Sequence, residues 1–367
     1  MKINETIIDG DIDKAVSHSQ GNAFELEDVS MTVVDRTQVQ PRLFTALFSG
    51  EANTVNLETK TIKYDDLQET LQIPDGKAYQ AYGNDLQKDK PRQLIYEVGS
   101  FGLRWNVAPM DYANKRVPGT NDLMDEAYVM TKMAAKADKA WNLFNELKWV
   151  QLLTTDTNIT RNGPMPQYNY YTDVLGVARP AATDMDLGGT GDIFQAFNFE
   201  RDKLMEDADK TLNTVDMVVV ICGTTFFNKR LEVERQETLA RNLRTQLDLA
   251  SMPVPRSNFG EGTSGMLNYQ FFDSEIDGLR YIRYSGSIQG TNLIGDDDAY
   301  MIPLGCENFV RDVFAPAQTR TYVNTSAQAR YAWAKEHERE GVVMAQESNT
   351  LPMSINPQLV RHLTSVS

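Results

Sequence analysis

The 367-residue chain is 41% hydrophobic and sets 36 Lys and Arg against 51 Asp and Glu, a formal charge of −15. The apolar content is ample for a real core, and the length suggests two or three domains. The acidity argues against a grip on nucleic acid through a broad basic face. Two cysteines, Cys222 and Cys306, are too few for a disulfide framework or a CxxC zinc site, and Cys222 after "MVVVI" reads as a buried small hydrophobe. No apolar run approaches a membrane span, and "MKINETIIDGDIDK" lacks the apolar stretch of a secretion signal, so an intracellular, reducing compartment is expected.

In chain order, residues 1–40 are polar without sustained period and read as an arm. "PRLFTALFSG" then places Leu43, Phe44, Leu47 and Phe48 at a spacing that suits about one and a half helical turns before Gly50. In "NTVNLETKTIKYDD", Val55 and Leu57 alternate with polar neighbours, as in a half-exposed strand. From Ile73 to Asn114 the sequence is rich in Gly, Pro, Asn, Asp and Lys, with sparse aromatics at Tyr79, Tyr82, Tyr96, Phe101 and Trp105. So little apolar content cannot bury a stretch this long as a closed unit. It is either a long surface loop or a segment that finds its partner on another molecule. Within it, "RQLIYEVGSFGLRWNV" suggests a hairpin around Gly99.

Residues 120–153 give the clearest helix, with Leu123, Ala127, Met130, Ala134, Ala137, Trp141 and Phe144 recurring at spacings of 4, 3, 4, 3, 4 and 3. Thr120 or Asn121 is expected to cap it, Lys132, Lys136 and Lys139 lie largely off the apolar face, and thirty residues would make a strut of roughly 45 Å. Two strand-like runs flank Asn162-Gly163, a favoured hairpin pair, although Pro164 follows directly. "ARPAATDMDLGGTGD" then reads as a linker. Beyond it come a helix, "DIFQAFNFERDKLMEDADKTL", and a strand buried on both faces, "DMVVVICG". A second helix capped by Thr224 or Thr225 follows, then a hairpin in "NYQFFDSEIDGLRYIRYSG" and a strand in "DAYMIPLG". Together these make residues 191 to about 320 an α+β domain. The chain finishes on "GVVMAQESNTLPMSINPQLVRHL", strand-like and half apolar, where a polar tail would be ordinary.

Chemistry-bearing motifs are weak. "GEGTSG" at 260–265 fits G-x-G-x-x-G but lacks the preceding strand and following helix that bring backbone N–H groups to a pyrophosphate, so a loop is the better reading. "DGDID" at 9–13 opens like a calcium loop, but Lys14 stands where Gly is needed and Gln20 where Glu is needed. Asp296, Asp297 and Asp298 read as a charged turn feeding a strand. His18, His337 and His362 fit no metalloenzyme spacing, and no G-x-S-x-G or P-loop occurs. No catalytic, metal or cofactor residue is assigned, and an enzyme has no positive support.

The C-terminal portion carries a resemblance. "IPLG", "VFAPA", "YVNT", Tyr331, "QESNTLPM" and "NPQLVRHL" occur here in the order of the motifs that close the lambda-type bacteriophage major head proteins, the capsid protein E family. The match is good over residues 293–363; "QESNTLP" has an extra residue and Thr350 where Pro is usual, which touches only loop geometry. Upstream the similarity is one of element order. The resemblance implies an α+β fold of the Hong Kong 97 type: an arm at 1–50, an extended loop at 51–116, a peripheral domain with a spine helix at 117–190, an axial domain at 191–322 and peripheral return strands at 323–367. It places the final strand back in the peripheral domain, beside the spine helix and the earlier hairpin.

The implied function is that of a major capsid protein forming the hexamers and pentamers of an icosahedral head that encloses double-stranded DNA without sequence-specific binding. Assembly would take place in the host cytoplasm, without membrane or cofactor. A portal and a decoration protein are the other partners to look for. No long coiled-coil segment precedes the arm, so scaffolding is expected from a separate protein. Tyr79, Tyr82, Phe101 and Trp105 are candidates to anchor on a neighbouring subunit. Leu43, Phe44 and Phe48 either pin the arm or cap the subunit's own core. Shells of this fold sometimes carry Lys–Asn crosslinks, but nothing singles out a pair here. An encapsulin-like compartment, a tail-tube protein, and a nucleotide- or metal-dependent enzyme resting on "GEGTSG" or the Asp triplet are the alternatives.

Overall fold

The computed structural model describes residues 43–48, 50, 53–68, 90–118, 122–160, 166–188, 193–211, 213–244, 270–274, 276–288, 291–319, 322–337 and 341–365. Tyr79, Tyr82, "GEGTSG", "DGDID" and the Asn162-Gly163 turn lie outside them. In chain order the elements are α1 (Leu43–Phe48), β1 (Thr54–Asn56), β2 (Thr61–Gln68), β3 (Lys90–Glu97), β4 (Gly99–Val107), α2 (Pro109–Tyr112) and α3 (Glu126–Thr155). There follow α4 (Tyr170–Leu175), β5 (Thr183–Asp184), α5 (Ile193–Lys210), β6 (Met217–Cys222), α6 (Thr224–Arg244), β7 (Phe271–Asp273) and β8 (Arg280–Arg283). The remainder are β9 (Ser287–Ile288), β10 (Thr291–Asn292), β11 (Asp298–Leu304), β12 (Val310–Phe314), β13 (Tyr331–His337), β14 (Gly341–Ser354) and β15 (Arg361–Thr364).

A six-stranded sheet runs β5-β15-β11-β6-β8-β7. The apolar run in β6 sits at its centre because both faces are covered. Val219 and Ile221 join a core with Trp149, Val150, Leu152 and Leu153 of α3, while Val218, Val220 and Cys222 join a second core with α5 and α6. That double burial is what a strand without polar alternation demands. β7 and β8 pair antiparallel, Phe271 opposite Ile282, as the hairpin expected there. β15 pairs antiparallel with β11, Leu363 opposite Ala299, and parallel with β5.

A five-stranded sheet runs β1-β12-β14-β13, with β4 also on β14. β12 is parallel to β1 and antiparallel to β14, Val313 facing Val55 on one side and Leu351 on the other. The expected segment boundaries therefore cross the sheets. β12 belongs to 191–322 in sequence but pairs in the five-stranded sheet, and β15 belongs to 323–367 but completes the six-stranded one. The final strand does not return to the earlier hairpin; Leu363, fully buried, goes to the second core.

Several local expectations are corrected. β3 and β4 are not a hairpin around Gly99: β3 pairs with β2 and β4 with β14, the chain changing sheets at Val98, whose N–H donates to the Lys60 carbonyl. The two strand-like runs around Asn162-Gly163 are the end of α3 and the short helix α4, joined by one bridge, Thr157 to Asn169. Local capping overrides strand propensity there: the Asn169 side chain accepts from the Thr172 N–H at 3.2 Å, and Gly176 closes the helix at φ +70°. α3 is capped by Asp125, which accepts from the Tyr128 N–H at 2.7 Å; the expected caps Thr120 and Asn121 lie outside the described residues. α6 starts at Thr224 with its early Phe226 N–H donated to the Asp296 carbonyl.

By contact density the chain divides into two units, one comprising Met1–Val39, Leu103–Ala140 and Ala332–Gln346, the other Gln40–Gly102, Trp141–Tyr331 and Glu347–Ser367. In the first, Val107, Ala137 and Val342 are buried, whereas Met110 and Leu123 are 76% and 61% exposed. Leu123 thus fails to extend the buried face of the helix, on which Ala137, Trp141 and Phe144 are covered. Both apolar cores lie in the second unit. Among the described residues no helix is long and apolar enough to cross a membrane.

Candidate interaction surfaces

Leu43, Phe44 and Phe48 are buried in the chain's own core. Phe44 packs edge-on against Tyr284 at 5.1 Å, and Phe48 contacts Trp149 and Phe309. The start of α1 is held by Glu146 of α3, itself fully buried: its carboxylate accepts from the Phe44 N–H at 3.1 Å, from the Thr45 N–H and hydroxyl at 2.9 Å each, and from the Tyr284 hydroxyl at 3.1 Å. A carboxylate at a helix N-terminus satisfies amides that have no intrahelical acceptor. Glu146 was missed in the sequence because the apolar period of α3 points elsewhere; only its place in "FNELKW" hinted at a charge inside a covered helix.

Phe101 is half-buried, its ring 4.5 Å from Phe144. Trp105 follows on the same inward face of β4, with an indole N–H that is buried without an acceptor among the described residues. β2 and β3 form a two-stranded ribbon outside both large sheets, eight residues paired on each side. Ile62 and Leu94 lean on the first core and Tyr96 is buried in it. On the opposite face Lys63 stands across from Ile95, which is 57% exposed. Neither outer edge of this ribbon is paired to another described strand, although the Glu97 N–H of β3 donates to the Tyr168 hydroxyl at 2.9 Å.

Buried charges elsewhere in the chain are paired. Lys148, on the face of α3 that carries Trp141 and Phe144, lies under two rings and reaches Asp312 of β12 at 2.5 Å; Thr350 of β14 donates to the other Asp312 oxygen at 2.7 Å. Arg230 of α6 is fully buried and donates to Glu234 at 2.9 Å and to Asp277 at 2.8 Å, with Tyr281 donating to the same Asp277 oxygen at 2.7 Å. At the end of α3, Asp156 is buried at φ +53°. Burial pushes its carboxyl up to about 6, and Arg179, 3.1 Å away, pulls it partly back. Arg179 also donates to the Thr154 carbonyl and lies over the Tyr300 ring.

The Asp triplet is dispersed over separate partners: Asp296 accepts from Asn292, Asp297 from Lys229 and Ser365, and Asp298 contacts His362 at 3.1 Å. Among the described residues no group of three or more His, Cys, Asp or Glu could hold a metal ion. Burial raises the Cys222 thiol well above its ordinary range, consistent with a packing role.

Comparison with known proteins bears on what this architecture is for. No curated protein matches the chain. Among solved structures, the capsid of cyanophage P-SCSP1u is similar over 90% of each chain at 10% identity and a TM-score of 0.50. A putative capsid protein of a prophage of E. coli CFT073 is similar over 96% of this chain and 98% of that one, at 14% identity and a TM-score of 0.48. The capsid of Myoviridae phage XM1 covers 93% and 97%, at 13% identity and 0.47. The first of these carries the fold assignment, a phage capsid fold of the expected α+β kind. The sequence profile described as Phage major capsid protein E matches residues 26–365, nearly the whole chain, and this protein belongs to that family.

Proposed function

We propose that this chain is the repeating subunit of a tailed-phage head, closing into hexamers and pentamers around double-stranded DNA. The observation that carries this reading is the family match across residues 26–365. The segment at 51–116 lies over a neighbouring subunit, with the β2–β3 ribbon as its base. Its edges, which no described strand extends, and exposed Ile95 are covered on assembly. Trp105, Tyr79 and Tyr82 are the aromatic anchors, and the unmatched Trp105 N–H is met by an acceptor from the neighbour. Leu43, Phe44 and Phe48 serve instead as internal packing, in keeping with their burial in the chain's own core. Residues 191–322 surround the five-fold and six-fold axes. A scaffolding protein, a portal and a decoration protein complete the head, which assembles in the host cytoplasm.

Weak contacts repeated around closed rings add through multivalency. Copies at −15 each repel, so salt promotes closure by screening. The lumenal surface is acidic, leaving DNA free to move; a basic interior in a potential map of the shell would contradict this. Negative-stain microscopy of the expressed protein is the direct test. Closed shells are expected, with nuclease-protected DNA in particles taken from infected cells. Open tubes, or a compact monomer at every salt and concentration, would overturn the reading.

A further inference from the structure

A cavity of about 410 Å³ lies where the chain passes from β3 to β4 at Val98, at the Thr61–Glu97 end of the ribbon. All of its described lining belongs to the second unit. The donors of its walls are already used. Pro166 and Pro316 carry no N–H, and the Val98 and Ala315 N–H groups go to the Lys60 and Asn349 carbonyls. The Asn349 side-chain amide donates to the Pro316 carbonyl at 3.0 Å, and the Ser100 hydroxyl donates to Glu347 at 3.2 Å.

The acceptors are not used to the same extent. Glu347 of β14 is half-buried and has no cation beside it among the described residues. Asn349 is 4% exposed, and its Oδ1 is buried without a donor among the described residues. Lys60, the one basic side chain in the described lining, is paired with Glu97. A buried carbonyl without a donor and a half-buried carboxylate without a cation both cost stability. A single group that brings positive charge and several N–H donors relieves both. A guanidinium fits best: it forks across two acceptors and is weakly hydrated enough to lie against proline walls. A bare metal ion fits less well, since no group of three or more His, Cys, Asp or Glu gathers among the described residues.

We propose that this cavity takes an arginine side chain of a second copy, its guanidinium paired with Glu347 and donating to Asn349 Oδ1. The choice of a second copy rests on the reading of this chain as a repeating shell subunit, in which the ribbon beside the cavity lies over a neighbour.

Two measurements test the grip and its source separately. N-acetylarginine amide is titrated into the unassembled ¹⁵N-labelled subunit and followed by amide shifts. Gly99, Ser100 and Asn349 are expected to move. Affinity should be about fivefold weaker in Glu347→Gln and for N-acetyllysine amide, and unchanged in Glu58→Gln, an exposed carboxylate outside the cavity. Next, particles are assembled from an equal mixture of ¹⁴N and ¹⁵N chains carrying p-benzoylphenylalanine in place of exposed Gln318, which lines the cavity. Irradiation should join light to heavy peptides at a segment that contains an arginine. Changing that arginine to Glu should lower shell yield about tenfold, and Glu347→Arg in the same chain should restore it. Binding indifferent to Glu347→Gln would overturn the proposal, as would light–light and heavy–heavy products only, which put the cation in the same copy. Subunits that ignore arginine yet close into shells would sink this proposal alone. Arginine binding by a chain that never forms particles would sink the shell reading and, with it, the second copy as donor.

Discussion

The six-stranded sheet and the β2–β3 ribbon are built from similar lengths of extended chain but are satisfied in opposite ways. In the sheet, β6 and β11 have a strand on each side and a core on each face, and even the buried charges of Arg230 and Asp277 are paired. In the ribbon, one face leans on the core through Tyr96 while the other shows Lys63 and Ile95, and neither edge is paired to another described strand. One region is finished within a single copy, and under the proposed function a neighbour finishes the other. Substitutions in the first should therefore register as subunit stability, and in the second as assembly.

The largest effect is expected for Arg230→Ala, which leaves Glu234 and Asp277 as buried carboxylates without their cation. A cost of about 3–5 kcal/mol follows, read as a lower urea midpoint of the unassembled subunit. Next is Asp156→Asn. A carboxyl raised in the folded state is penalised above its folded value, so the wild type should gain stability as pH falls from about 6 towards 4. The asparagine variant should be more stable at pH 7, by at most about 3 kcal/mol, and lose that pH dependence. Asparagine also tolerates the positive φ at this position. A thermal-melt series from pH 4 to 8 reads both effects.

Glu146→Ala removes the acceptor of four donors at the α1 anchor and should cost roughly 2 kcal/mol, with faster exchange of the Phe44 and Thr45 amides. The smallest effect on the subunit is expected for Ile95→Glu, within about 0.5 kcal/mol, because the side chain faces solvent. Its shell yield by light scattering should nonetheless drop. A large loss of subunit stability, with shell yield unchanged, would erase the distinction between the two regions.

The sequence was most legible where one physical requirement dominates. An unbroken apolar run can only be a doubly covered strand, and β6 is one; a sustained 3.6 period can only be a helix, and α3 is one. It was least legible where strand partners are far apart in the chain. Nothing local distinguishes a hairpin at Gly99 from a change of sheets at Val98, because the partner that decides, β14, lies more than two hundred residues on. Likewise "NYYTDVL" has the composition of a strand, and the Asn169 cap together with Gly176 makes it a helix. Of the candidate contacts, Leu43, Phe44 and Phe48 were visible as an apolar patch, but apolar spacing cannot say which molecule covers it; the Glu146 anchor that decides the matter is a tertiary fact.

The placement of β15 between β11 and β5 also sets a clock. Residues 361–364 are needed to complete a sheet whose central strand, 217–222, leaves the ribosome well over a hundred residues earlier. At about 5–20 residues per second that gap lasts on the order of 7–30 s, and for roughly the last 3–11 s of it one flank of β11 waits uncovered. A nascent polysome-bound subunit is therefore unfit to join a growing lattice, and incorporation must follow translation of the C-terminal strand instead of accompanying it.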